Sequence, residues 1–255
     1  MEILKKPFVL SGGGCRAFAH LGVVKALGEH GIYPSAIAGT SAGALAGAFL
    51  ANGLTPDEIM DMLNGKLNLK MFAWNKFEMG LVSLKNIREF LQKNLHHKKF
   101  EELPIPFYVT ATNFSSGRQT IFSKGDMIDA LVAACSIPGI FPPVFMDNVP
   151  YVDGGLCNNL PIEPFIDRKS EVVGIYVNPT KLFKPNENVI EVMDRALHLA
   201  LHQMVYQSGT GCFLYIEPQE LNKFEIFDFR KTADIFEIGY HFTKKLLVST
   251  DIIKT

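Results

Sequence analysis

Three short segments of this chain bring nucleophilic, acidic and glycine residues together at spacings that chemistry can use. The first is Gly39-Thr40-Ser41-Ala42-Gly43, a serine with a glycine two residues to either side. Where such a pentapeptide joins a strand to a helix, the serine stands at the apex of a sharp turn with its Oγ outward. The flanking glycines remove side chains that would collide in the bend. The helix that starts there adds free N–H groups and a positive dipole end, which favour developing negative charge. This is equipment for nucleophilic attack on an acyl carbon. The plain alternative is an ordinary glycine-rich turn, since the pentapeptide alone recurs by chance.

The second segment is Ser11-Gly12-Gly13-Gly14-Cys15-Arg16. Consecutive glycines let the backbone turn its N–H groups toward one point, a nest for a phosphate or a transient oxyanion. Gly12-x-Gly14-x-x-Ala17 also fits a dinucleotide fingerprint formally. That reading wants an acid at the end of the next strand to hold a ribose, and Gly39-Thr40-Ser41 stands there instead. The third segment, Tyr151-Val152-Asp153-Gly154-Gly155, puts an aspartate after a short apolar run and before two glycines. Such an aspartate projects into a cleft with little steric cover, or serves as a plain turn residue.

These residues need elements to hold them. Phe8-Val9-Leu10 reads as a strand, 11–14 as a turn and about Arg16 to His30 as a helix. Ala36-Ile37-Ala38 reads as a second strand and Ser41 to Ala51 as a second helix. Strand, tight turn and helix, repeated, predict an α/β fold with helices flanking a mostly parallel central sheet. Thr55-Pro56-Asp57-Glu58 carries a helix start: cap, proline at the first position, acids in the first turn. The region from there to Lys99 reads as helical or irregular. Further strands are expected at Pro106–Asn113, Gln119–Ser123, Val172–Val177 and Cys212–Glu217. A wide amphipathic helix is expected from Val189 to Gln207, its apolar stripe formed by Val189, Val192, Met193, Ala196, Leu197, Ala200, Leu201 and Met204.

Taken in this order, the three segments resemble the patatin-like phospholipase family. Ala134-Cys135-Ser136-Ile137-Pro138-Gly139-Ile140-Phe141-Pro142-Pro143-Val144 is similar to the stretch that family carries before its Asp-Gly-Gly motif, and His20-Leu21-Gly22-Val23 to its bacterial members. The resemblance covers about 7–180 and departs at Ala17, where the family usually has glycine. It implies a three-layer patatin-like architecture, with 1–255 as one domain and C-terminal helices and a strand completing the core. It implies a Ser–Asp dyad of Ser41 as nucleophile and Asp153 as base, and an oxyanion hole from Gly12, Gly13 and Gly14 with Arg16 nearby. Gly39, Gly43, Gly154 and Gly155 support these motifs. The implied activity is hydrolysis of acyl esters in phospholipids, lysophospholipids or related lipids, with no cofactor and no metal.

Other readings stay open at this level. An α/β-hydrolase triad would run Ser41, Asp153 and one of His198, His202 or His241, although only two strands precede Ser41. A member that has lost its chemistry would act as a lipid-binding module. His198 and His202 invite a shared metal, but no glutamate follows His198 and no third ligand is evident. His20 reads as packing under the glycine turn. The Lys93–Lys99 cluster reads as a solvated helix end or a contact for anionic head groups. The stretch holding Met60, Met62, Met71, Phe72, Trp74, Phe77 and Met79 walls an acyl pocket, forms a lid or is plain core.

Composition sets the outer bounds. The chain has 255 residues, 47% apolar and 20% charged, with a formal net charge of −1. That is a folded globular composition of one-domain size, and its charge offers no field for nucleic acid. Cys15, Cys135, Cys157 and Cys212 form no CxxC pair and read as reduced residues. The start, Met1-Glu2-Ile3-Leu4-Lys5-Lys6, lacks the apolar run of a secretory signal. A cytoplasmic protein meeting lipid at the membrane surface is expected. The uncharged stretch Gly31 to Pro56 reads as a buried strand and helix, not a membrane span.

Overall fold

The computed structural model describes residues 3–63, 84–180 and 189–250. Its elements in chain order are β1 (Leu4–Leu10), α1 (Phe18–Glu29), β2 (Ile32–Thr40), α2 (Ser41–Ala51), α3 (Pro56–Leu63), α4 (Lys85–Asn94), β3 (Phe107–Asn113), β4 (Arg118–Phe122), α5 (Met127–Ala134), β5 (Val144–Met146), β6 (Val149–Asp153), β7 (Val173–Ile175), α6 (Val189–Gly209), β8 (Leu214–Ile216) and α7 (Thr232–Ser249). Among the described residues the strands form one eight-stranded sheet in the order β5-β6-β3-β2-β1-β7-β8, with β4 also on β3. From β3 to β8 the neighbours along this path are parallel. β4, β5 and β6 pair antiparallel.

One feature of this pairing positions the chemistry. β4 covers Val109–Asn113 of β3, so β2 and β6 must share the opposite edge. β2 runs up that edge and ends with Thr40 opposite Thr110. β6 runs down it and ends with Asp153 opposite Ala111. The two strands meet head to head, and the residues at their ends fall side by side.

Side chains alternate across a strand, and both faces of the parallel strands are covered. Phe8, Leu10, Ile37, Phe107 and Val109 pack with α1, α2, α5 and α7. Val9, Ala36 and Ala38 face Leu160, Ile162, Phe165, Tyr176 and Val205. Burial on both faces explains why these strands read as apolar runs. The uncharged stretch is β2 and α2, both largely buried, and no helix among the described residues is long and apolar enough to cross a membrane. At the start of α3, Thr55 N–H donates to Glu58 Oε2 (2.8 Å) and Glu58 N–H donates to Thr55 Oγ1 (3.3 Å), a reciprocal cap.

The stripe expected on α6 is displaced. Val192, Ala196, Ala200 and Met204 face solvent. The line turned inward runs through Leu201, His202, Val205 and Gly209. Gly209 sets it, because a Cβ there would lie 2.4 Å from the Tyr215 ring. The side chains of Val189, Met193 and Leu197 lie outside the described residues.

Candidate active site

Ser41 is the first residue of α2 and has φ +52. A non-glycine residue in this left-handed region is strained, and such strain concentrates at functional turns. The bend closes because residue 43 is glycine: a Cβ there would lie 2.3 Å from Ser11 O and 2.5 Å from Leu10 O. The end of β1, carrying the glycine loop, therefore presses directly on the first turn of α2. Thr40 Oγ1 donates to Asn158 O (3.1 Å) and ties the turn to the chain after Asp153.

Ser41 Oγ donates to Asp153 Oδ2 at 2.6 Å. The second carboxylate oxygen accepts from Gly155 N–H at 2.8 Å. The backbone of Asp153 is held from two sides, by its N–H on Ser136 O (2.9 Å) and by Thr112 Oγ1 on its carbonyl (3.0 Å). Burial pushes the carboxyl up from 3.8 to about 6, against the two hydrogen bonds that favour its charge. Cys135 beside it is a protonated thiol, raised by burial and then by the Asp153 charge.

The glycine loop is clamped peptide by peptide. Gly12 O accepts from Asn178 Nδ2 (2.6 Å) and Ser11 Oγ (3.0 Å). In a trans peptide the following N–H points the opposite way, so this clamp aims the Gly13 N–H. Gly13 O accepts from Arg16 N (3.1 Å), which aims the Gly14 N–H in the same manner. Neither N–H donates to a protein group among the described residues. Gly12 differs from the expectation: its own N–H donates to Asn159 Oδ1 at 3.0 Å, leaving the nest to Gly13 and Gly14. Gly14 has φ +56, and a Cβ there would lie 2.2 Å from Ile226 O, which accepts the neighbouring Cys15 N–H.

Arg16 lies beside the loop, tied to it through Asn178. It is buried, with Nε and Nη2 on Phe224 O (2.9 and 2.6 Å) and Nη1 toward Asn178 Oδ1 (3.3 Å). Its guanidinium braces the loop from behind. Ala17 takes an ordinary helical φ of −60, so the extra methyl group meets no backbone strain. His20 is buried below, its Nε2 donating to Ser11 O at 2.8 Å. Burial lowers it to about 4, and it is neutral at pH 7.

Ser41 opens onto an apolar cleft. Leu21 of α1, Leu45 and Phe49 of α2, Ile59 of α3 and Ile87 of α4 wall it, with Phe227 beside the glycine loop. Among the described lining residues only Ser41 carries a hydroxyl. Ile59 and Leu63 bring the start of the methionine-rich stretch into the wall, while Met60 and Met62 pack against the core. Met71, Phe72, Trp74, Phe77 and Met79 lie outside the described residues.

No histidine bonds to Ser41 or Asp153 among the described residues. His202 Nε2 lies 3.4 Å from Glu217 Oε1 and edge-on to Tyr176. His241 is exposed on α7, 3.2 Å from Glu237. The His198 side chain lies outside the described residues. No group of three metal-ligating side chains occurs among the described residues. The Lys93–Lys99 segment ends α4, with its lysines exposed and its backbone tied to α5 through Met127 N–H on Lys98 O (2.8 Å). Asn159 and Asn178 were not evident from sequence, since they act by holding the Gly12 peptide and lie 147 and 166 residues from it.

Fold and geometry define a class: an α/β protein with a strained serine at a strand-to-helix turn, bonded to a buried aspartate beside a backbone nest. The patatin-like phospholipase family model matches residues 8–166, and the chain belongs to that family. A lysophospholipase of Kluyveromyces lactis, NTE1, is 25% identical over 265 residues, which is 91% of this chain and 18% of that protein. An NTE family protein of Mycobacterium tuberculosis is 31% identical over 181 residues, 68% of this chain and 30% of the other. The chain thus spans less than a third of each of these two relatives. Among solved structures, VipD from Legionella pneumophila matches 96% of this chain and 67% of its own with a TM-score of 0.64 at 16% identity, a likeness of fold.

Proposed function

We propose that this chain is a serine lipid acyl hydrolase, and that 1–255 forms a single patatin-like unit. The observation that carries the reading is the 2.6 Å hydrogen bond from Ser41 to Asp153 at an apolar cleft. Ser41 Oγ attacks the ester carbonyl carbon while its proton passes to Asp153. The carbonyl oxygen gains the negative charge and is met by the Gly13 and Gly14 N–H groups. Asp153 returns the proton to the departing alcohol, leaving an acyl-enzyme. Water, deprotonated by Asp153, then releases the fatty acid and restores Ser41. A carboxylate near pKa 6 is a better matched base than an ordinary aspartate near 4. Two preorganised donors are each worth on the order of 10²–10³ in kcat.

The likeness to a named lysophospholipase supports phospholipids or lysophospholipids as the substrate class. The four free cysteines fit a reducing, cytoplasmic setting, with the protein meeting membrane at its surface. Fatty-acid release from lysophospholipid micelles and phospholipid vesicles tests the function. Ser41→Ala and Asp153→Asn should each lower kcat at least about a thousandfold. Release retained in both variants contradicts the proposal.

A further inference from the structure

The cleft runs beside α2. Its lining residues on α2 are Ser41, Ala42, Leu45, Ala46 and Phe49, which share one helical face. The eight residue steps from Ser41 to Phe49 advance about 12 Å at the usual helical rise. At Phe49 the path meets Phe90 of α4, edge-on, with ring centroids 6.0 Å apart and planes at 67°. Beyond it, at the end of α2, Asn52 is buried, its Nδ2 on Ala48 O (3.0 Å) and its Oδ1 accepting His97 N–H (2.7 Å). Nearer to Ser41 the same face carries Leu45, half-buried at the cleft wall, and the small methyl groups of Ala42 and Ala46, which leave room beside it.

We propose that the Phe49–Phe90 pair is the floor that sets acyl-chain length. It limits the chain esterified at Ser41 to about eight to ten carbons, since an extended chain advances about 1.25 Å per carbon and the Phe49 ring leans back toward Ser41. This rests on the reading of Ser41 as the nucleophile and goes beyond it by naming medium-chain acyl esters as the preferred class. A longer chain must displace an aromatic ring or leave methylenes in water. Each methylene left outside costs about 0.8 kcal/mol, or roughly fourfold in kcat/KM.

The test uses p-nitrophenyl esters from butanoate to hexadecanoate, below their aggregation limits, with melting curves to confirm folding. The parent should favour octanoate or decanoate. Phe49→Ala and, separately, Phe90→Ala should raise the dodecanoate-to-octanoate ratio of kcat/KM about tenfold or more. Ala46→Phe, which blocks the path midway, should move the preference the other way, lowering the octanoate-to-butanoate ratio by a similar factor. A chain-length profile unchanged in folded Phe49→Ala and Ala46→Phe overturns the floor. Butanoate turnover that survives Ser41→Ala overturns the underlying reading instead, so the two failures are distinguishable.

Discussion

Asp153 carries a conflict on which the proposed mechanism draws. Its carboxyl is buried and raised to about 6, so the base form is populated at neutral pH while still retaining proton affinity. The acid limb of kcat/KM should therefore show an apparent pKa of about 6, with activity rising above it; a limb near 4 would mean an ordinary exposed carboxylate. The same shift acts on stability. A carboxyl whose folded pKa lies above its unfolded value of 3.8 adds stability below that value, and this is lost as pH rises through about 6. Asp153→Asn removes the cost of holding a buried charge. It should be more stable than the parent at pH 8 by at most about 3 kcal/mol, and the difference should vanish by about pH 3. Urea unfolding at the two pH values reads this directly. Asn159, which holds the Gly12 N–H at 3.0 Å, gives a matching pair. Asn159→Asp keeps the acceptor but sets a second carboxylate near Asp153, and should move the acid limb to higher pH. Asn159→Ala should lower kcat about tenfold without that displacement.

The elements meet at tolerances that admit no side chain. Gly43 lets the end of β1 touch the first turn of α2, and Gly43→Ala would drive a methyl group to 2.3 Å from Ser11 O. Both contacts are backbone, so neither moves cheaply. Gly43→Ala should cost about 3 kcal/mol in chemical unfolding and lower turnover in whatever remains folded. The β2–Ser41–α2 unit was legible from sequence to the residue at Ser41 and Ala51, because glycine, serine and alanine punctuate it so strongly. The β5–β6 hairpin was not. Its strands have 3 and 5 residues, and Pro150 interrupts the second. Its one local signal is the pair Asp147-Asn148, both at positive φ (50 and 62), as a tight two-residue hairpin requires. The displaced face of α6 escaped notice for a different reason: hydropathy gives a stripe, but contact with Tyr215 at Gly209 decides which way it turns.

At the scale of the whole molecule, the sheet joins motifs 112 residues apart. Motif order identified Ser41 and Asp153 as partners through family likeness. Their contact depends on β2 and β6 sharing one edge of β3 from opposite ends, which no local pattern reveals. The cleft is equally non-local, with walls from four helices and the segment around Phe227. The central claim is that this assembly activates Ser41. It is tested most directly by reacting the intact protein with a fluorophosphonate and mapping the adduct by peptide mass spectrometry. A single adduct on Ser41 is expected, strongly diminished in Asp153→Asn and absent in Ser41→Ala. An adduct on another serine, or Ser41 labelling undiminished in folded Asp153→Asn, would contradict that claim.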